Sequence, residues 1–471
     1  MAARMKAQEF MDKMAGSPAT SRDSSLRAGN AYTAAAALTG LPETAGMDDK
    51  NLGPVFARRM HEYGENCFTG AVAKRYLTAM GLPVSLIDMV FTDAEKLVEH
   101  KDTIAAAVLQ WAKEREATMF THAFQPLGSE GMRAGSTGQV HNAMFRPGSD
   151  GTYWCFSGDD LIQGETDGSS FQNGGLRATH TAAAYTVIDP SSPIYLRDDT
   201  VYIPTVLAAF SGEALDEKMP LLRAMQAVDR EGRRLLKHLG HSDAAKVFPN
   251  IGLEQEFFLV PRSAYFSRPD LQLCGRTIMG KSSARGQEMC DHYMAAPNEK
   301  ALACMREIQN ECFKVGIPMQ TRHKEVAPNQ YECAPFFGLA SGQIDNNLLF
   351  MQIAEEVAAR HGLAALFTEK PFQGINGSGK HNNFSLGTDK NMNLFNAKHM
   401  AKQCSTPDSF AIVMAAVVSA IHKHGDLMRM ATATPGNDFR LGAMEVIGRL
   451  PRSCHAAPSG ARIAQTTDSG S

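Results

Sequence analysis

Four glutamates and one histidine in this sequence have the types and spacing for metal-assisted chemistry. Glu254 and Glu256 lie in NIGLEQEFFLV, residues 250–260. The bulky apolar Phe257, Phe258, Leu259 and Val260 beside them read as a strand. Residues i and i+2 of a strand share a face, so the two carboxylates project side by side, with Cα atoms about 7 Å apart. Two such charges repel by roughly 2 kcal/mol at an effective dielectric near 20. A divalent cation would turn that repulsion into a binding site, because hard cations take carboxylate oxygens. The plain alternative is a strand end with two solvated glutamates.

Glu325 and Glu332 lie in TRHKEVAPNQYECAP, on either side of Pro328. One helix cannot hold both across that proline, whereas two strands, or a strand and a turn, can make them converge. His381 follows directly on the glycines of GINGSGKHNNFSL, residues 374–386. Gly374, Gly377 and Gly379 let backbone amides approach a ligand closely. A lone histidine is usually structural, but one on a glycine loop in a chain with four clustered glutamates is a metal candidate. The chain has no G-x-x-x-x-G-K-[ST] pattern, so any nucleotide is held in another way. In GETDGSSFQNGGLR, residues 167–170 read as a turn; an ordinary hairpin loop is the alternative. Arg440, in the Pro/Gly-bearing TPGNDFRLGAME, could fork a substrate carboxylate or be a surface arginine.

These residues need elements to position them. Residues 51–81 have helical spacing through Val55, Met60, Phe68, Val72 and Tyr76. Residues 93–116 predict a second helix, with an apolar stripe of Leu97, Ile104, Ala107, Val108 and Trp111. Residues 121–190 predict short strands punctuated by Gly, Ser and Asp. Residues 221–239 predict a basic amphipathic helix leading into the central strand. A polar loop with Tyr293 spans 281–297, and helices are predicted over 299–314 and 344–367, the latter with Leu348, Leu349, Met351 and Ile353 inward. A short strand covers 383–385. The apolar run 410–421 is little more than about half of a membrane span and predicts a buried helix.

The composition is that of a soluble globular protein, with 471 residues, 44% hydrophobic and 21% charged. That length suggests two or three domains. A net charge of −3 and no basic run speak against a nucleic-acid surface, and no segment predicts a membrane span. The nine cysteines are scattered without a C-x-x-C pair, which fits a reducing compartment rather than a zinc cluster or disulfide scaffold. A cytoplasmic location is expected, with a weak organelle leader as the other option.

Taken together and in order, EQE, HKEVAPNQYE, NGSGKHNNFS and NDFRLGAME resemble glutamine synthetase. YGENCFTGAV, FTHAFQPL and LIQGETDGSSFQNGGLRAT resemble its type III branch, and the match runs from about residue 55 to residue 445. The resemblance implies an α+β fold: an N-terminal β-grasp-like domain, then a catalytic domain with a curved, mainly antiparallel sheet flanked by helices. It implies ATP-dependent ligation of ammonia to glutamate through γ-glutamyl phosphate at a site with two Mg²⁺ (or Mn²⁺) ions. Glu256, Glu325 and Glu332 resemble the ligands of one ion, and Glu254 and His381 those of the other. Asn376 and Gly377 resemble the glutamate-binding loop, Arg440 the arginine on the substrate carboxylate, and Ser385 a nucleotide-site residue. Asp167 and Ser170 resemble the ammonium-site loop, and Glu445 the flap glutamate that takes the ammonium proton. Tyr293 resembles, loosely, a tyrosine near ammonium. A homo-oligomeric ring, usually a dodecamer, is implied as well.

The expected division is a disordered leader (1–45), a helical segment (46–120), the β-grasp-like domain (121–210), an incomplete catalytic domain (211–445) and a divergent disordered tail (446–471). The family pattern stops at Glu445, so the sequence alone predicts a C-terminally truncated or frame-shifted relative with little activity. A related γ-glutamyl amine ligase and an inactive paralogue or assembly subunit are the competing expectations.

Overall fold

The computed structural model describes residues 63–441 other than 92, 126–136, 139, 164–184, 190–191, 209–211, 242, 282–285, 288–292 and 433. The proposed leader, the whole tail, and Asp167, Ser170 and Glu445 lie outside the described residues. The fold is α+β and divides into two units.

The first unit takes the residues up to 225 with 312–317 and 344–352. It begins with strand β1 (Cys67–Phe68) and helices α1 (Gly70–Ala79), α2 (Val84–Ile87), α3 (Ala94–Glu99) and α4 (Lys101–Glu114). Strands β2 (Met119–Phe124), β3 (Thr137–Gly138), β4 (Asn142–Ala143), β5 (Phe145–Gly148) and β6 (Gly151–Trp154) follow. After α5 (Gly158–Ile162) come β7 (Tyr185–Ile188), β8 (Ile194–Arg197) and β9 (Thr200–Ala208). The described strands form a seven-stranded sheet, ordered β1-β8-β9-β2-β3 with β4 beside β2 and β7 beside β9. β2 and β9 run parallel, and the other described pairs are antiparallel.

The predicted stripe Leu97, Ile104, Ala107, Val108 and Trp111 is fully buried and forms the core with Phe68, Leu77 and Ile203. Two local expectations change. Of the helix expected over 51–81, residues 51–62 lie outside the described residues, and the described part is helical only at Gly70–Ala79, because Cys67 and Phe68 pair with Tyr195 and Ile194 as a strand. The 93–116 helix breaks at His100, after Asp93 caps its first segment through the Glu95 and Lys96 amides.

The second unit takes 226–311, 318–343 and the residues from 353 onward. The chain enters it along α6 (Lys218–His238) and then forms the long strand β10 (Val247–Pro261). Next come α7 (Arg262–Phe266), α8 (Pro269–Cys274), α9 (Glu299–Lys314), β11 (Met319–Lys324), β12 (Gln330–Pro335), β13 (Gly338–Leu339) and α10 (Ala340–Arg360). The unit ends with β14 (Leu363–Leu366), β15 (Lys380–Thr388), α11 (Ala397–Gln403), α12 (Ser409–Thr432) and α13 (Pro435–Arg440). Its six described strands form an antiparallel sheet around β10, which pairs with β12, β13, β14 and β15.

The helix expected over 344–367 starts earlier and stops sooner. Gly362, at φ +67°, closes it, and the apolar residues 363–366 continue as strand β14. Leu349 and Ile353 are buried as expected, whereas Leu348 and Met351 are only half-buried. The buried helix expected over 410–421 is instead the first part of α12, in which only Ser409, Val413 and Gly425 are buried. At 24 residues α12 is also long and apolar enough, by length and composition, to cross a membrane, which the sequence reading did not foresee. Its second half carries Lys423, Asp426 and Arg429, and a kink at His424 separates the two parts.

Candidate active site

The site grows from the alternation of β10. Leu253, Gln255 and Phe257 are buried on one face, and Glu254 and Glu256 project from the other. Register then decides what faces them. Glu254 lies opposite His381 of β15, and Glu256 lies opposite Glu332 of β12. One strand thus brings together segments that are far apart in sequence.

On the β15 side, His381 Nδ1 is 2.9 Å from Glu254 Oε2. Asn383 Nδ2 donates to Glu254 Oε1 at 2.8 Å, which orients that carboxylate. On the β12 side, the tight β11–β12 connection puts Glu325 just past the end of β11 and Glu332 within β12. Ligand atoms of His323, Glu325 and Glu332 lie within 4.8 Å of one another. Burial, then the neighbouring Glu332, pushes the Glu325 carboxyl up to about 7. Glu332 is also raised, by burial and then by Glu254 and Glu256, against the opposing pull of His323.

Two buried atoms of this cluster lack a hydrogen-bond partner among the described residues: Glu325 Oε1 and His381 Nε2. A carboxylate oxygen and an imidazole nitrogen left bare among acidic groups are the donor set a divalent cation takes. The residues present therefore fit metal ions. Glu256 is tied in as well, since the Gly379 amide donates to its Oε2 at 2.6 Å.

His323 was not picked out in the sequence. Its Nδ1 donates to Lys324 O at 2.9 Å, and its Nε2 lies 3.1 Å from Glu332 Oε1. Both ring nitrogens face acceptors. Burial lowers the imidazole pKa, but these acceptors outweigh it and hold it above its ordinary value. The Tyr293 ring packs against His323 with centroids 5.4 Å apart. Partial burial together with Glu325 and Glu332 pushes its hydroxyl up to about 12.

Opposite the carboxylates lies the glycine loop. The Gln330 carboxamide donates to Gly377 O at 2.9 Å and to Ser378 Oγ at 3.2 Å. The buried Lys370 ammonium donates to Ile375 O. Arg440, expected in a loop, is the last residue of the short helix α13. A Cβ on Gly379 would sit 2.7 Å from Arg440 Nη2, and one on Gly377 would meet Arg440 Cγ at 3.2 Å. Glycine is needed here so that the guanidinium can reach the loop. Gly377 and Gly379, in the loop that carries Asn376, are thus brought against Arg440. Ser385 lies opposite Asn250, on the face of β15 that carries His381, roughly 13 Å further along.

Comparison with known proteins gives two family matches. The family described as glutamine synthetase type III N terminal matches residues 59–224, and that described as glutamine synthetase, catalytic domain, matches residues 230–422. The type-3 glutamine synthetase of Dictyostelium discoideum is 42% identical over 353 residues, covering 74% of this chain and 47% of its own length. The glutamine synthetase of Bacteroides fragilis is 44% identical over 348 residues, covering 74% and 46%. The cryo-EM structure of Plasmodium falciparum glutamine synthetase aligns over 72% of this chain and 63% of its own, at 18% identity and a TM-score of 0.49. The chain spans about half the length of the curated relatives it matches.

Proposed function

This chain belongs to the glutamine synthetase family, in its type III branch, and on that premise we propose that it serves the ATP-dependent ligation of ammonia to glutamate. The reading rests most on one observation, the convergence of Glu254, Glu256, Glu325, Glu332 and His381 with Glu325 Oε1 and His381 Nε2 left bare. In it, Glu256, Glu325 and Glu332 hold one Mg²⁺ or Mn²⁺, and Glu254 and His381 hold the other. When bound, such ions neutralise phosphoryl oxygens and favour an in-line transfer.

The chain's own residues do the rest. Arg440 holds the substrate carboxylate against the glycine loop, and the Asn376 carboxamide hydrogen-bonds beside it. His323 hydrogen-bonds Glu332 and steadies its carboxylate, and Tyr293, packed on His323, closes that side. Ser385 serves the nucleotide end. Asp167 and Ser170 are assigned to ammonium, which must lose a proton before it can displace phosphate from γ-glutamyl phosphate, and Glu445 takes that proton. The working form is a homo-oligomeric ring.

The test is phosphate release from ATP by the purified protein with Mg²⁺, glutamate and ammonia, with glutamine identified as product. Release that needs both co-substrates and yields glutamine supports the reading. Release with methylamine or a larger amine in place of ammonia, giving a γ-glutamyl amide, would replace it.

A further inference from the structure

A single carboxamide governs the polarity of Asn376. Gln287 comes from the polar segment between α8 and α9. Its Oε1 accepts from the Asn376 backbone amide, and its Nε2 donates to Asn376 Oδ1 at 3.0 Å. Both contacts are partly buried.

The chemistry of this closed pair leaves no choice of orientation. A backbone N–H can only donate, so Gln287 must turn its oxygen toward it. Its amide nitrogen then faces the Asn376 side chain, and that side chain must answer with Oδ1. Asn376 Nδ2 is left as the group to meet a ligand, and it can only donate. The backbone around it is anchored separately, by Gln330 on Gly377 O, by Lys370 on Ile375 O, and by the Ser378 amide on Glu369 O at 2.6 Å. Among the described residues, Gln287 acts on the asparagine head itself.

We propose that Gln287 is a positioning residue for the amino-acid substrate: it fixes Asn376 with Nδ2 outward, so that this amide and Arg440 together select a carboxylate rather than an amide or a cation. The proposal rests on the reading above that Asn376 binds glutamate. It extends the glutamate site to a segment outside the glycine loop.

Gln287→Glu and Gln287→Ala test it. The carboxylate of Gln287→Glu still accepts from the backbone amide but repels Asn376 Oδ1, so Asn376 turns over and presents an acceptor to the substrate. Gln287→Ala merely releases the asparagine. The expected order is therefore unusual, with the near-isosteric variant the worse one. KM for glutamate rises about tenfold or more in Gln287→Glu and about threefold in Gln287→Ala, from the scale of one hydrogen bond lost or reversed. KM for ATP and kcat stay within about twofold, as they lie outside this contact. Glutamate-induced thermal stabilisation in Mn²⁺ is read in parallel. A packing role predicts the opposite order, with alanine worse and all parameters moving together; that result, or unchanged glutamate affinity in both variants, overturns the proposal. A wild-type protein that shows no response to glutamate overturns the functional reading along with it, so the two failures are distinguishable.

Discussion

Gly379 and Arg440 are packed so closely that a methyl group on the glycine would stand 2.7 Å from the guanidinium Nη2. The Gly379 amide also donates to Glu256 Oε2 at 2.6 Å. One glycine therefore touches both a proposed metal ligand and the proposed carboxylate-binding arginine.

This relationship separates fold from function in one substitution. In Gly379→Ala the obstructing atoms are the far end of a flexible side chain, which can swing away at little cost to folding. Its displacement removes the charge-assisted contact to substrate, of roughly 1.5–3 kcal/mol. The expected result is a melting temperature within about 3 °C of wild type with KM for glutamate raised at least about tenfold. Steady-state kinetics and calorimetry on the same preparation check it.

Protonation of the carboxylate cluster gives a pH prediction. Burial and Glu332 raise the Glu325 carboxyl from 4.5 to about 7. Between these values the folded chain keeps a proton that the unfolded chain has released. The stabilising contribution of this group is thus fully present below 4.5 and is lost as pH rises through about 7. A cation that replaces the proton reverses the trend. Stabilisation by Mn²⁺ should grow from pH 5.5 to 7.5 in wild type and grow less in Glu325→Gln, where Glu332 alone of the raised carboxyls remains to lose a proton, as measured by thermal shift across pH.

The first unit carries a different buried charge. Lys218 Nζ lies 2.7 Å from Asp189 Oδ2 and 2.5 Å from Asp345 Oδ2, and donates to Ser192 Oγ at 2.8 Å. Burial works against the ammonium, but the two aspartates hold its pKa above the usual lysine value. Lys218→Ala would leave two carboxylates uncompensated. A loss of about 3–5 kcal/mol in urea unfolding, or failure to accumulate soluble protein, is expected. Unchanged stability would mean that the pair contributes little.

The sequence made local patterns legible and left long-range partners hidden. Alternation in EQEFFLV showed that Glu254 and Glu256 share a face, and Pro328 between Glu325 and Glu332 pointed to two strands or a strand and a turn. His323 was missed because it sits in a polar run, TRHKE, that looks like any solvated edge. The available signal was its i−2 spacing from Glu325, and only the register His323 to Glu332 turns that into a contact. Gln287 gave no signal, since a loop has no period and its partner is remote in sequence. The apolar face of α12 suggested burial because composition records what a helix can pack, not what packs on it. The end of α10 was misjudged because LAALF continues the apolar pattern, although the preceding Gly362 is a regular stop signal.

The account depends above all on a metal-binding carboxylate cluster, so the most direct measurement is a calorimetric Mn²⁺ titration of metal-free wild type, His381→Ala and Glu332→Gln. The account predicts saturable binding at two sites in wild type, with loss of one site in His381→Ala and loss of the other, held by Glu256 and Glu325, in Glu332→Gln. Absence of saturable binding in wild type, or titrations that neither substitution alters, would contradict it.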